Sequence, residues 1–163
     1  MDKFDLKILN ILKDRSDIPL KEIGKLVGIF SPSAVSKRIQ NLKEQGYIKK
    51  DVSLLDYEKL GYEFQTITLV KTKYGKDYAR VIGDKMGKLP NVVAIYFILG
   101  DIDFVLITMN RSRSEYLKTM EYLTSIEEIE RSDSRVIAYT LKSIDFDALD
   151  LTKDHSAGKQ ETL

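Results

Sequence analysis

Ser36 and Lys37 stand three and four residues after Ser33, and Gln40 four and three residues after them, just behind a Ser31-Pro32 pair, the pattern of one helix face close to a helix start. Those side chains suit the edges of bases in double-stranded DNA: glutamine favours adenine, lysine favours guanine, and short hydroxyls serve either partner. Arg38 flanks this face and is better placed to grip a phosphate or pack along its stem than to read a base, while Lys21, Lys25, Lys49 and Lys50 could add phosphate contacts. Other chemistry is poorly provided for. The chain has no cysteine and a single histidine, His155, so disulfides, thiolate metal sites and cysteine nucleophiles are excluded, and neither a metal site nor a catalytic residue is expected.

The elements that would carry the polar face can be traced from the apolar pattern. Phe4, Ile8, Ile11 and Leu12 repeat at helical spacing behind Asp2 and stop near Asp14 to Ser16. A second, short helix runs from Asp17-Ile18-Pro19 to Gly28. A third starts at Ser31-Pro32, turns Val35, Ile39 and Leu42 inward, and ends at Gly46. Three helices with two tight turns make a helix-turn-helix. Residues 47–54 read as an extended segment with adjacent Lys49 and Lys50, a wing beside the third helix.

Beyond Gly61 the pattern alternates strand and helix: strand 64–74, helix 78–89, strand 92–99, a Gly100-Asp101 turn, strand 104–109, helix 114–124 and a last strand 131–141 with a lead-in at Ile129. The fold class predicted is α+β, an N-terminal winged helix-turn-helix followed by a ferredoxin-like βαββαβ domain, with both helices on one face of an antiparallel sheet. The domains predicted are 1–54 for the winged helix-turn-helix, 55–62 as linker, 63–147 as the βαββαβ domain for dimerisation and effector binding, and 148–163 as a mobile polar tail. Ile67, Leu69, Ile95, Phe97, Val105, Ile107, Val136 and Ala138 are expected in the core or on a surface that a second copy covers.

Composition agrees with two small domains. The chain has 163 residues, 43% hydrophobic and 31% charged, enough apolar mass for cores. No run reaches the roughly 18 apolar residues that span a bilayer, and the start, Met1-Asp2-Lys3-Phe4-Asp5, lacks a secretory pattern, so a cytoplasmic location is expected. Net charge is only +1, but residues 1–53 hold eleven Lys/Arg against seven Asp/Glu, while the remainder holds fifteen against eighteen. The N-terminal third is the basic part, as a duplex-binding module requires.

Asp5-Leu6-Lys7-Ile8-Leu9, Val35 to Leu42, Gln45-Gly46-Tyr47-Ile48-Lys49 and Gly100-Asp101-Ile102-Asp103-Phe104 together resemble the Lrp/AsnC family, the leucine-responsive or feast/famine transcriptional regulators, over about residues 2 to 145. The chain departs from the family between Gly28 and Val35, where it holds one residue more than the usual turn, at Phe30. The resemblance implies a sequence-specific regulator whose C-terminal domains pair sheet to sheet as a homodimer, with dimers gathering into rings of eight that bind amino acids. At the corresponding places this chain offers Gly100, Asp101, Asp103, Ser132 and Ser134, with Tyr74 and Tyr78 from the loop after the first strand. Carboxylates can accept from an α-amino group, and hydroxyls with open backbone can hold a carboxylate.

Both groups of residues also suit a purely structural role. Any surface helix shows polar residues opposite a core stripe, and Gly100-Asp101 suits a plain hairpin turn. Siroheme decarboxylases look like this fold too, but their reaction is usually linked to histidine, and this chain offers only His155. A metabolite-sensing module that no longer touches DNA is the third possibility, and the polar face at Ser33, Ser36, Lys37 and Gln40 argues against it.

Overall fold

The computed structural model describes residues 1–73, 75, 77–144 and 146–152, with the Asp147 side chain excepted, and divides into two compact units. Tyr74 and His155 lie outside the described residues.

In the first unit, Met1–Leu54 joined by the described residues from Lys142 on, helix α1 spans Lys3–Leu12. Its start is a reciprocal capping box, the Asp2 carboxylate accepting from the Phe4 and Asp5 N–H groups and the Asp5 carboxylate from the Asp2 N–H. Helix α2, Leu20–Val27, stops at Gly28 with φ 84°, a left-handed residue that suits glycine. Helix α3, Pro32–Glu44, starts at Ser31, whose hydroxyl accepts from the Ala34 N–H. Ile8, Ile18, Ile23, Val27, Val35 and Leu42 form the buried core. The turn between α2 and α3 is drawn tight at Gly24, where a Cβ would stand 2.3 Å from the Ile29 carbonyl oxygen; the Ile29 N–H in turn donates to the Gly24 carbonyl at 2.8 Å.

The second unit, Leu55–Leu141, holds β1 (Phe64–Thr72), α4 (Tyr78–Met86), β2 (Val92–Phe97), β3 (Phe104–Asn110), α5 (Arg113–Thr124) and β4 (Ile129–Val136). The sheet is antiparallel with order β2-β3-β1-β4, the split βαβ plan. Strand alternation sorts its residues into two faces. Val70, Phe104 and Leu106 point to the helices and pack with Ile82, Met86 and Leu123. Ile67, Leu69, Val105, Ile107 and Met109 lie on the other face, half-buried in the single chain. Ile95 packs with the helix-side core, and Phe97 meets Phe104 edge to face with centroids 5.3 Å apart.

That helix-side face also carries polar groups, all satisfied. Thr66 and Thr108 share a hydrogen bond of 2.8 Å, Asn110 donates to the Thr108 hydroxyl and the Phe64 carbonyl, and Asn91 donates to Asn110. Fully buried threonines persist because each hydroxyl has a partner.

Three expectations need correction. The last strand ends at Val136 instead of Leu141: the ladder closes where the Ile137 N–H donates to Gln65, and β1 begins at Phe64, so residues past Ala138 have no β1 residue opposite them. Ala138 therefore lies past the strand, and Val136 is an exposed edge residue. Residues 142–144 and 146–147 group with the helix-turn-helix and not with the sheet. Finally, residues 148–152 are not a free tail: a short 3-10 turn at Phe146–Ala148 leads back to α1, where the Lys13 ammonium donates to the Phe146 and Leu149 carbonyls and the Asn10 side chain accepts from the Leu151 N–H.

Candidate nucleic-acid interface

The stripe Val35, Ile39 and Leu42 presses α3 into the core, which leaves Ser33, Ser36, Lys37 and Gln40 exposed on its other side. The Ser33 hydroxyl lies 2.8 Å from that of Ser31, and Gln40 donates to the Glu44 carboxylate at 2.9 Å. Among the described residues Lys37 makes no ion pair, and neither do Lys21, Lys25, Lys49 and Lys50. Five uncompensated cations on one small unit make a surface that attracts a polyanion.

The wing segment forms no strand pair; residues 48–56 carry no regular structure. It is anchored at its base, where the Tyr47 and Ile48 N–H groups both donate to the Leu42 carbonyl, Ile48 packs on the core, and Lys43 pairs with Asp51. Lys49 and Lys50 thus leave the helical unit from a fixed point.

Arg38 is placed differently from the other predicted contacts. Its Nη1 donates to Asp2 at 2.8 Å and to Asp5 at 2.7 Å, and the guanidinium lies 5.6 Å from the centroid of the Phe4 ring. The hydrogen bonds it donates to Asp5 and then to Asp2 raise the Arg38 pKa further. It clasps the start of α1 to α3 instead of standing with Lys37 and Gln40. A separation of more than thirty residues hides such a pairing from local pattern.

Of the second group, Tyr78, Gly100, Asp101 and Asp103 lie at one end of the sheet. Tyr78 packs edge to face on Phe97 at 5.8 Å, and Gly100, at φ 140°, and Asp101 are exposed in the turn between β2 and β3. Asp103 faces inward with its residue 3% exposed; its carboxylate accepts from the Thr72 N–H at 2.7 Å and hydroxyl at 3.1 Å, and pairs with Lys71. It ties β1 to the turn and does not present an acceptor to solvent. Ser134 bonds Thr68 at 2.9 Å and meets the Met120 sulfur, whereas Ser132, opposite Val70, is exposed.

Sequence pattern missed a groove at the opposite end of the sheet. It encloses about 410 Å³ between Tyr62, Pro90, Asn91, Arg111, Glu115, Lys118 and Tyr122, with the Arg111 guanidinium 4.9 Å from the Tyr62 ring centroid. Among the described residues no cluster of three or more His, Asp or Glu side chains is arranged to hold a metal ion, and no helix is long and apolar enough to cross a membrane.

Comparison with known proteins matches both units. Residues 1–49 fit the winged helix-turn-helix DNA-binding family, and residues 65–144 fit the Lrp/AsnC ligand binding domain. The HTH-type transcriptional regulator FL11 of Pyrococcus horikoshii is 34% identical over 87% of this chain and 92% of its own, and its Pyrococcus furiosus counterpart is 34% identical over 84% and 89%. An AsnC family transcriptional regulator from Agrobacterium tumefaciens superposes with a TM-score of 0.79 at 25% identity, covering 91% of this chain and 99% of that one. A transcriptional regulator of Neisseria meningitidis, solved as an L-Met complex, shares the fold at TM-score 0.79 and 21% identity over 91% and 98%. With a basic helix-turn-helix, a βαββαβ ligand-binding unit and full-length relatives that are regulators, this chain belongs to the Lrp/AsnC family of transcriptional regulators.

Proposed function

We propose that α3 enters the major groove of duplex DNA with Ser33, Ser36, Lys37 and Gln40 toward the base edges, while Lys21, Lys25, Lys49 and Lys50 neutralise phosphates. The observation that carries this is the exposed side of α3, where Lys37, without an ion pair among the described residues, stands directly opposite the buried stripe. Gln40 must leave Glu44 to reach a base, so its contribution is smaller than that of an unengaged glutamine. Arg38 takes no direct part. Lys37→Ala and Gln40→Ala should each weaken binding to a selected operator by about 1–3 kcal/mol and leave the thermal unfolding of the chain unchanged. Unaltered affinity in both variants would remove α3 from the interface.

The open face of the sheet supports pairing of two copies: Ile67, Leu69, Val105 and Ile107 form an apolar strip of a kind that a monomer rarely leaves in water. A homodimer places two recognition helices on one side of the duplex, with half-sites about 10 base pairs apart or a multiple of that. Assembly into an octamer and capture of an amino acid near Gly100, Asp101, Tyr78 and Ser132 complete the proposal. The exposed glycine backbone and the exposed Asp101 carboxylate support it, as does the L-Met complex of the Neisseria relative. Asp103 and Ser134 shape that end of the sheet from inside. The chain acts in the cytoplasm by binding, without catalysis or a cofactor.

A further inference from the structure

We infer that Phe30 determines operator specificity by laying its ring against thymine 5-methyl groups beside the start of α3. The inference rests on the DNA-binding assignment above and adds a residue to it.

Phe30 is 91% exposed, a large apolar side chain held in water with no ring or cation partner among the described residues. Its orientation follows from its neighbours. Ile29 is fixed by its N–H bond to Gly24 and packs on the core. Ser31 is extended, with φ −96° and ψ 113°, and turns its hydroxyl back to cap α3. Between an inward Ile29 and a capping Ser31, Phe30 is turned outward where the chain enters the recognition helix.

The occupant of that position is set by charge and by shape. Phe30 sits between α2, whose Lys21 and Lys25 make no ion pair among the described residues, and α3, whose Lys37 makes none either, a setting that fits a polyanion and repels a basic protein surface. In a duplex, the apolar feature offered to the N-terminal end of a recognition helix is the thymine methyl in the major groove. Ser33, three residues on, supplies a hydroxyl for the neighbouring polar edge. The residue that lengthens this turn is therefore a reader of thymine and not a passive spacer.

The test is affinity for the selected operator and for the same operator with thymine replaced by deoxyuridine one position at a time, using the full chain and Phe30→Ala. Removing one methyl from a single half-site should weaken the unsubstituted chain about fourfold at one position, the effect of one buried methyl. Phe30→Ala should bind the thymine operator correspondingly weaker and be insensitive to uridine at that position. Its exposed site predicts unchanged thermal unfolding. Equal sensitivity of both proteins to uridine, or full affinity of Phe30→Ala for the thymine operator, overturns the inference and leaves the regulator intact. Failure of the unsubstituted chain to bind any operator would instead overturn the DNA-binding assignment.

Discussion

Gly24→Ala and Gly83→Ala are the same chemical change inside two helices, and the structure assigns them opposite signs. At Gly24 a Cβ would lie 2.3 Å from the Ile29 carbonyl oxygen, against 3.4 Å where ordinary contact begins, so that carbonyl must retreat by about 1.1 Å. It belongs to the backbone, and the Ile29 N–H donates to Gly24 itself, so the retreat strains the bond that closes the turn into α3. Overpacking of this kind costs about 3 kcal/mol at the upper end of its usual range. Alanine returns about 1 kcal/mol of helix propensity, which leaves a net loss of about 2 kcal/mol. At Gly83 the new Cβ would meet only the Phe104 ring, at an ordinary 3.8 Å. Helix propensity is then unopposed, and a gain of about 0.5–1 kcal/mol is expected. Thermal unfolding followed by circular dichroism reads both; at about 4–8 °C per kcal/mol for a unit of this size, Gly24→Ala should lose roughly 10 °C. Amide exchange assigns each change to α2 or α4. Because the displaced turn also aims α3, Gly24→Ala should lose operator affinity even where it is fully folded. A Gly24→Ala variant as stable as the parent would refute the tight-turn reasoning.

Further outcomes follow from the other contacts. Asp103→Ala leaves the buried Thr72 N–H without an acceptor and should destabilise the C-terminal unit by about 1–3 kcal/mol in chemical denaturation; a stable variant with lost amino-acid response would make Asp103 a ligand instead. The Asp2 carboxyl is held below its usual 3.8 by the Asp5 N–H first, then by hydrogen bonds from Arg38 and the Phe4 N–H. Its stabilising contribution is present above the unfolded-state value and lost as pH falls through the folded one. Carboxyl NMR should show the depressed titration, and Asp2→Asn should blunt the loosening of α1 in acid. Ile107→Lys, on the open sheet face, should convert a dimer into a monomer in analytical ultracentrifugation with the sheet still folded. An unchanged sedimentation coefficient would place the self-association surface elsewhere.

Local chemistry made much of this architecture legible. Asp2, Ser31 and Gly28 announce helix ends through hydrogen-bonding side chains or a left-handed backbone, and each does so in the structure. Strand alternation marked which residues share a face, but not which face meets helices: Ile67 and Val70 are both apolar, and packing alone assigns them. What stayed hidden depends on partners far along the chain. The end of β4 depends on where β1 begins, and the bonds of Arg38 to Asp2 and Asp5 join residues more than thirty positions apart. Asp103 looks like a turn residue until its bonds to Thr72 are seen. The return of Leu149 and Leu151 to α1 has no local signal at all.

Selection of bound sequences from random duplex DNA at moderate salt tests the central assignment most directly, with the winning site then footprinted by the parent chain and by Lys37→Ala. One enriched palindrome is expected, its half-sites about 10 base pairs or a multiple apart, protected by the parent chain and weakly by Lys37→Ala. No enriched sequence, or an enriched site that Lys37→Ala protects equally well, would contradict it.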